Sequence, residues 1–209
     1  MSIHINVKTF ISGHNNGKTL AKAVLNGKTV YEGITLETYT FNTLYFYERL
    51  LAKSDYGFEG YLYRDRGAFG VPNGDKDMGH VGKLSLGASH FGYRRTIAIY
   101  TKPDIVASKI KKVTLKTATY MSEPIMVYGG MANYSWTSGS EGYNLSAESI
   151  GTLSADTEYD ITEVYRRMIE SSAKHIYLKF IHVKNEKDNT NGSTWTASFY
   201  MPTIIVEHR

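Results

Sequence analysis

The sequence predicts an all-β protein, a sandwich or a barrel with one short helix, on the basis of three observations. Short apolar runs recur from about residue 68 onwards and are separated by turn-forming residues, which is the spacing of sandwiches and barrels. A single stretch near residue 165 has its apolar residues at helical spacing. An Asn-Gly dipeptide lies between two strand-like runs near the start of the chain. The strands expected in the main domain are 83–86, 96–100, 111–120 and 125–128.

The first third of the chain is predicted to form strands and a hairpin. Apolar residues alternate from Ile3 to Ile11, which is the pattern of a half-buried strand. Asn26-Gly27 fits a type I′ turn because both residues tolerate positive φ. Aromatic residues are dense over 36–66, where we favour strand over helix for 45–52. Residues 1 to about 35 form a unit too small to hold a core of its own, so it is expected to pack on the main domain or on another protein. Residues 1–66 are therefore expected to be a docking segment, and residues 67–209 to be the sandwich domain.

One helix and two closing strands complete the expected order of elements. Val164, Tyr165, Met168 and Ile169 recur at helical spacing. Their helix is expected to be capped at its start by Asp160 with Glu163, or by Thr162 alone. The closing strands are 175–183 and 194–206, the second with Pro202 near a sheet edge.

Composition excludes several classes of function. Hydrophobic residues make up 42% of the 209 residues and charged residues 21%, with a net charge of +4, which is an ordinary globular balance. Basic residues are scattered, and the densest cluster, Lys109, Lys111 and Lys112, is better explained as a solvated strand edge than as a nucleic-acid surface. Cysteine is absent, so disulfides and thiolate metal sites are excluded. The first residues show no secretory signal, and no apolar run is long enough to span a membrane. We therefore expect a soluble protein made in the cytoplasm.

Residues 68–207 resemble the DNRLRE family of jelly-roll domains, which occur in bacterial surface proteins and phage structural proteins. The resemblance lies in AFGVPNGDKDMGHVGKLSLG, in YRRTIAIYTKPDIVASKIKKVTLKTATY, in EYDITEVYRRMI and in the closing ASFYMPTIIVEH. Trp136, in the loop NYSWTSGSEGYN, stands where the family often has a Trp. The segment TIAIY differs from the Phe and Asp that the family usually has there. The resemblance implies a jelly-roll β-sandwich that serves as a binding or structural module.

A second resemblance points to a virion. VLNGKTVYEG is similar to short hairpins near the start of minor structural proteins in phages of Gram-positive bacteria. A surface-type jelly roll without an export signal suits a phage, because virions leave the host by lysis. The two resemblances together imply a virion structural protein of the tail, baseplate, neck or capsid decoration. Its jelly roll would face outward, with host polysaccharide as a candidate ligand.

The expected partners follow from the same resemblances. Residues 1–66 would contact other virion proteins, and a homo-oligomer, usually a trimer, is implied. The alternative is a bacterial cell-surface carbohydrate-binding module. Neither function is enzymatic, and no cofactor is expected. A hydrolase is the third hypothesis. Its candidate carboxylates, among the 20 acidic residues of the chain, are Glu48, Asp55, Glu59, Asp65, Glu123 and Glu141, but the sequence cannot bring any two of them together. No Gly-x-Ser-x-Gly motif is present.

The candidate sugar site is an aromatic stretch among Gly, Ser and Asn residues, formed by Tyr128, Tyr134, Trp136 and Tyr143. Aromatic faces stack on the C–H surfaces of sugars, while hydroxyl and amide groups bind their hydroxyls. The alternative for Trp136 is that it anchors a long loop to the edge of the sandwich.

Two acidic residues, two histidines and one glycine-containing segment are weaker candidates for metal or nucleotide binding. Asp75 and Asp77 could donate oxygens to a structural calcium ion, although they are also ordinary turn formers. His175 and His182 are expected on opposite faces of one strand. The segment GHNNGKT is one residue short of the nucleotide-binding loop and is better explained as a turn between strands.

Overall fold

A computed structural model describes residues 13–15, 18–20, 22–25, 28–53, 59–69, 78–85, 90–133, 139–184 and 194–209 of the chain. Nearly all of the regular structure in these ranges is β-strand, and every strand pair is antiparallel. This confirms the predicted all-β fold class.

The described strands in the first half of the chain are β1 Gly13–Asn15, β2 Lys18–Leu20, β3 Lys22–Leu25, β4 Lys28–Glu32, β5 Thr35–Tyr39, β6 Phe41–Lys53, β7 Glu59–Phe69, β8 Met78–Ser85 and β9 His90–Thr101. The second half contains the remaining strands and two α-helices: β10 Ile110–Lys116, β11 Ile125–Ala132, α1 Gly139–Tyr143, β12 Glu148–Leu153, β13 Glu158–Asp160, α2 Thr162–Glu170, β14 His175–His182, β15 Trp195–Tyr200 and β16 Thr203–His208. A single turn of 3-10 helix, Ala107–Lys109, precedes β10.

Eight of these strands form a jelly roll. One sheet has the order β5-β16-β10-β13, and part of the other sheet has the order β9-β14-β11-β12. Numbered along the chain from β5, the eight strands thus pair as 1-8-3-6 and 2-7-4-5. This is the strand order of a jelly roll with two Greek keys. The sandwich predicted from the strand spacing is therefore confirmed.

The remaining strands extend the jelly roll or stand beside it. β6 and β7 continue the second sheet beyond β9, and β8 pairs with both β9 and β15. The pairing does not follow the predicted division at residue 66, which falls inside β7. β5 pairs with β16 and β6 pairs with β9, so residues 35–53 belong to the sheets of the sandwich. Among the described residues, only the pairs β1–β2 and β3–β4 stand outside those sheets.

These two pairs agree with the local sequence signals. Leu25 pairs with Lys28 across the position of Asn26-Gly27, as the predicted hairpin requires. Asn15 pairs with Lys18, so the segment GHNNGKT joins two antiparallel strands and does not open a helix. The strand predicted for Ile3 to Ile11 lies outside the described residues.

The main core lies between the two sheets. It is made of aliphatic and aromatic side chains from both sheets, together with three residues of α2, and many of them are fully buried. Its largest fully buried members include Tyr100, Tyr165, Phe180, Phe199 and Ile110. The rings of Phe180 and Phe199 are in contact, with their centroids 5.0 Å apart. Alternation along β9 and β14 supplies this core from one face of the larger sheet.

The opposite face of the larger sheet holds a second, tyrosine-rich cluster. Its buried members are Tyr47, Tyr93, Ile97, Ile99, Ala132, Tyr143, Tyr177 and Trp195. An antiparallel sheet commonly leaves one face to solvent, whereas this sheet is buried on both. The excess of tyrosine in the sequence, 17 against eight phenylalanines, is explained in part by this face.

Residues 141–147 cover that second face. Arg95 Nη1 donates a hydrogen bond to the Tyr143 carbonyl oxygen at 2.6 Å. Lys179 Nζ donates to the carbonyl oxygen of Leu145, and the Tyr177 hydroxyl donates to that of Ser146. The helix α1, whose last three residues belong to this cover, was not predicted. Its five residues include two glycines, which are poor helix formers.

The start of α2 differs from both predicted caps, Asp160 with Glu163 or Thr162 alone. The N-cap residue is Ile161, whose side chain makes no capping hydrogen bond, and Asp160 instead holds Thr162, the first residue of the helix. The Asp160 carboxylate accepts hydrogen bonds from the Thr162 hydroxyl at 2.6 Å and from the Thr162 N–H at 2.9 Å. The Thr162 hydroxyl oxygen also accepts the N–H of Val113 at 2.9 Å, which ties the helix to β10. Glu163 takes no part in the cap, because it pairs with Arg166 instead.

Replacing Asp160 by alanine is expected to lower the free energy of unfolding by about 1 kcal/mol, because the two hydrogen bonds from Thr162 are lost. The hydrogen bonds from the Thr162 hydroxyl and N–H hold the pKa of the Asp160 carboxyl below its usual value. This stabilisation is therefore present above the unfolded-state pKa and is lost as pH falls through the folded-state pKa. Urea unfolding at neutral and acid pH measures it.

The control for that experiment is Glu158→Ala on the same strand. Glu158 makes only an exposed ion pair with Lys116, which is worth little. A difference between wild type and Asp160→Ala that stays constant into acid would contradict the assignment of this stabilisation to the ionised carboxylate.

Candidate functional site

The predicted sugar site is only partly within the described residues. Tyr143 is fully buried, and the guanidinium carbon of Arg95 lies 3.8 Å from the centroid of its ring. Its ring is covered and fixes the 141–147 cover to the sheet, so it is not exposed for stacking on a sugar. Tyr128 is half-buried on β11, with Lys179 Nζ 5.7 Å from its ring centroid. Tyr134 and Trp136 lie outside the described residues, and the four-residue site stays a prediction.

The candidate metal ligands also lie partly outside the described residues. Asp75 and Asp77 lie outside the described residues, so the calcium site stays a prediction. In the part of the chain that the structure describes, no group of three or more metal-binding side chains comes together. His182 is buried, and its Nδ1 accepts the Lys184 N–H at 3.0 Å. Nε2 therefore carries the ring proton and donates it to Glu123 Oε2 at 3.1 Å. Burial lowers the pKa of His182, which favours a neutral ring with both nitrogens engaged.

A different aromatic surface stands out at the end of β15. An isolated antiparallel bridge joins Met121 to Phe199. Phe199 is fully buried and Met121 packs against the main core. Because side chains alternate along extended backbone, the neighbours on both sides of this bridge point outward. The bridge therefore brings together Tyr120, Ser122, Ser198 and Tyr200, which we call the Tyr120–Tyr200 surface.

The two tyrosines of this surface are in contact and open to solvent. Tyr120 is 41% exposed and Tyr200 is 42% exposed. Their ring centroids are 5.3 Å apart and the ring planes are tilted by 56°. The Tyr200 N–H donates to the Tyr120 carbonyl oxygen at 3.0 Å, which fixes the two backbones. Exposed aromatic side chains that are held by a fixed backbone form a preorganised contact surface.

The two serines are held as firmly as the tyrosines. The Ser122 N–H donates to the Ser198 carbonyl oxygen at 2.9 Å, and the Ser198 N–H donates to Ser122 Oγ, also at 2.9 Å. Ser198 Oγ lies 2.8 Å from His80 Nδ1. The backbone of His80 is fixed in turn by the buried Thr96 hydroxyl, which accepts its N–H and donates to its carbonyl oxygen. Two oriented hydroxyl groups therefore lie beside the aromatic pair.

An open groove of about 530 Å³ begins at Tyr200, at the end of the sandwich where the chain crosses between sheets. Thr40 connects β5 of one sheet to β6 of the other, and Met201-Pro202 connects β15 to β16. The described residues that line the groove are Thr40, Phe41, Ala118, Tyr200, Met201, Pro202 and Thr203.

The corner at Pro202 is fixed from inside the core. The buried Tyr100 hydroxyl donates to the Pro202 carbonyl oxygen at 2.9 Å. Burial raises the pKa of Tyr100, so its hydroxyl keeps the proton that it donates. Pro202 was predicted near a sheet edge, and it occupies the corner between two strands, where its missing N–H costs no sheet hydrogen bond.

Sequence reasoning missed the Tyr120–Tyr200 surface for a specific reason. Ser122 and Ser198 are 76 positions apart in the chain, and nothing local indicates that they pair. One signal was available: in the predicted strand, Ala197 and Phe199 alternate with Ser198 and Tyr200, which indicates an outward face with one aromatic residue.

Comparisons with known proteins add no relative. No family model matches the chain, and no curated protein matches it. The resemblance to the DNRLRE family therefore stays a prediction. Among the described residues, no helix has both the length and the apolar character needed to cross a membrane.

Proposed function

We propose that the chain is a bacteriophage virion structural protein whose outward jelly roll binds host polysaccharide at the Tyr120–Tyr200 surface. Its place would be in the tail, baseplate, neck or capsid decoration. The observation that supports this proposal best is a pair of exposed tyrosine rings on a hydrogen-bonded backbone, beside two oriented serine hydroxyls and an open groove.

The chemistry of this surface suits a sugar. A tyrosine ring offers a flat apolar face and a polar hydroxyl on one side chain. The apolar C–H face of a pyranose stacks on such a ring, while its hydroxyls exchange hydrogen bonds with nearby serines. Little of the surface needs to be ordered when the ligand binds, because backbone hydrogen bonds already hold it.

The virion part of the proposal is supported by the architecture of the chain. Jelly rolls serve as viral capsid domains and as lectin domains. In the described part of the chain, the pairs β1–β2 and β3–β4 do not join the sandwich sheets. A two-stranded hairpin is marginally stable by itself, so these pairs are suited to docking on another virion protein. The docking role proposed for 1–66 then falls mainly on residues 1–32.

The alternative is a bacterial cell-surface carbohydrate-binding module. It uses the same surface and predicts the same glycan binding. The two differ in whether the protein assembles into a particle, and genes for virion proteins next to this one would favour the phage.

Tyr120→Ala and Tyr200→Ala are each expected to weaken polysaccharide binding about tenfold, which corresponds to about 1.4 kcal/mol. Each variant removes one stacking face and leaves the buried core intact. Affinity gel electrophoresis against a panel of bacterial cell-wall polysaccharides measures the effect. The control is Tyr128→Ala, which tests the aromatic site predicted from the sequence. Loss of binding in Tyr128→Ala but not in the other two variants would contradict the proposed site.

A separate experiment tests the virion proposal. Particles assembled without the protein are mixed with the full chain or with a variant lacking residues 1–32. The full chain should bind the particles, and the truncated variant should not, although it should still bind polysaccharide. Failure of the full chain to bind would overturn the virion proposal and favour the cell-surface alternative.

A further inference from the structure

We infer that the ligand of the Tyr120–Tyr200 surface is a single, soluble, uncharged glycan chain rather than an acidic polymer or a crystalline polysaccharide surface. This inference rests on the proposed function and specifies its substrate class. It follows from the charge of the site, from the angle between the rings and from the spacing of the hydroxyls.

The charge of the site excludes an acidic polymer. None of the described residues that line the groove is charged, and the Tyr120–Tyr200 surface itself contains only hydroxyls and aromatic rings. The nearest carboxylate in sequence, Glu123, is engaged with His182. An acidic polymer requires lysine or arginine at its binding site, and the exposed Lys111 and Lys112 lie on β10 instead. A ligand bound here would therefore be uncharged.

The angle between the rings excludes a crystalline surface. A flat array of glycan chains requires coplanar aromatic rings that touch it together. The rings of Tyr120 and Tyr200 are tilted by 56°, and with centroids 5.3 Å apart they are too close to hold a sugar between them. One sugar ring can stack on one tyrosine while the edge of the other tyrosine contacts its side. This arrangement suits a single chain that bends or twists along the surface.

The spacing of the hydroxyls sets the length of the contact. Ser198 and Tyr200 are alternate residues on β15, and Ser122 and Tyr120 are alternate residues on the opposing segment. Two residues of extended strand span about 6.6 Å, which is close to the length of one sugar unit. A glycan with one sugar unit on the two tyrosines thus places its next sugar unit over the two serines. His80 is a positioning residue, since its Nδ1 orients the Ser198 hydroxyl.

The test uses the full chain and three classes of polymer. Soluble neutral polysaccharides such as dextran and galactomannan are compared with acidic alginate and hyaluronan in affinity gels, and with crystalline cellulose in sedimentation, each at low and high salt. Binding to a soluble neutral polymer is expected, and its affinity should be unchanged by salt. Tyr200→Ala should weaken it about tenfold, whereas a variant with Lys109, Lys111 and Lys112 changed to alanine should bind as wild type does.

The outcomes separate this inference from the proposed function. Two outcomes would overturn the inference and leave the site in place. One is salt-sensitive binding to an acidic polymer, the other is sedimentation with cellulose, provided that Tyr200→Ala abolishes the binding. Loss of binding in the triple lysine variant alone would overturn both the inference and the site. Binding to no polymer, or binding that Tyr200→Ala leaves unchanged, would overturn the polysaccharide proposal itself.

Discussion

Replacing Phe199 by alanine will lower the free energy of unfolding by about 3–5 kcal/mol, the cost of deleting a fully buried aromatic ring. The ring contacts Phe180, with centroids 5.0 Å apart, and it lies directly over Gly79. A Cβ at position 79 would be 2.5 Å from Phe199 Cζ. Because Gly79 has no side chain to move into the vacated space, most of the cavity should persist.

Urea unfolding followed by circular dichroism measures this effect, and two further variants calibrate it. Phe199→Leu keeps most of the volume and should cost clearly less. Val106→Ala truncates an exposed side chain and should change stability by no more than about 0.5 kcal/mol. A loss below about 1 kcal/mol in Phe199→Ala would show that the ring is not a central part of the core.

Alanine at Gly82 is the second substitution for which we expect a large effect. Gly82 has a φ of +132°, a conformation that residues with a Cβ rarely adopt. An alanine Cβ there would also lie 2.1 Å from the carbonyl oxygen of Trp195 on the paired strand β15. The added Cβ is attached directly to the backbone of β8, and the Trp195 oxygen belongs to the backbone of β15. The clash can therefore be relieved only by separating the two strands.

Gly151 provides a matched control for the second prediction. Its φ is +134°, but an added Cβ would meet nothing within 4 Å. Gly151→Ala should therefore cost only the conformational strain, about 1–3 kcal/mol, and Gly82→Ala should cost more by the energy of the clash. The two unfolding free energies are measured by the same urea titration. Equal losses in the two variants would show that the backbone conformation alone requires glycine at position 82.

The local signals in the sequence predicted those parts of the fold that local contacts determine. The helical spacing of Val164, Tyr165, Met168 and Ile169 was sufficient to place α2. Asp160 and Thr162 indicated its start because their hydrogen bonds connect neighbours in sequence. The pairing of β3 with β4 followed from Asn26-Gly27 for the same reason.

The misjudged features depend on contacts that are distant in sequence. β6 was assigned to the docking segment 1–66, yet it lies between β7 and β9 in the larger sheet. Tyr143 looked like an exposed loop aromatic among small polar residues, and only the position of Arg95 on β9 shows that it is covered. The sequence shows whether such residues are aromatic or polar, but it does not show which residues pack against them.

The single bridge between Met121 and Phe199 couples ligand binding to folding. The two halves of the proposed binding surface come from segments 76 positions apart, and they meet only when β15 has closed onto the rest of the jelly roll. Contacts so distant in sequence form slowly as a chain folds, because a long loop must be closed to make them. A glycan that spans both segments binds the folded state and not the unfolded chain. Its stabilisation should therefore grow as the logarithm of one plus its concentration divided by its dissociation constant, and the melting temperature should rise with it. Thermal stability would then report occupancy of the surface.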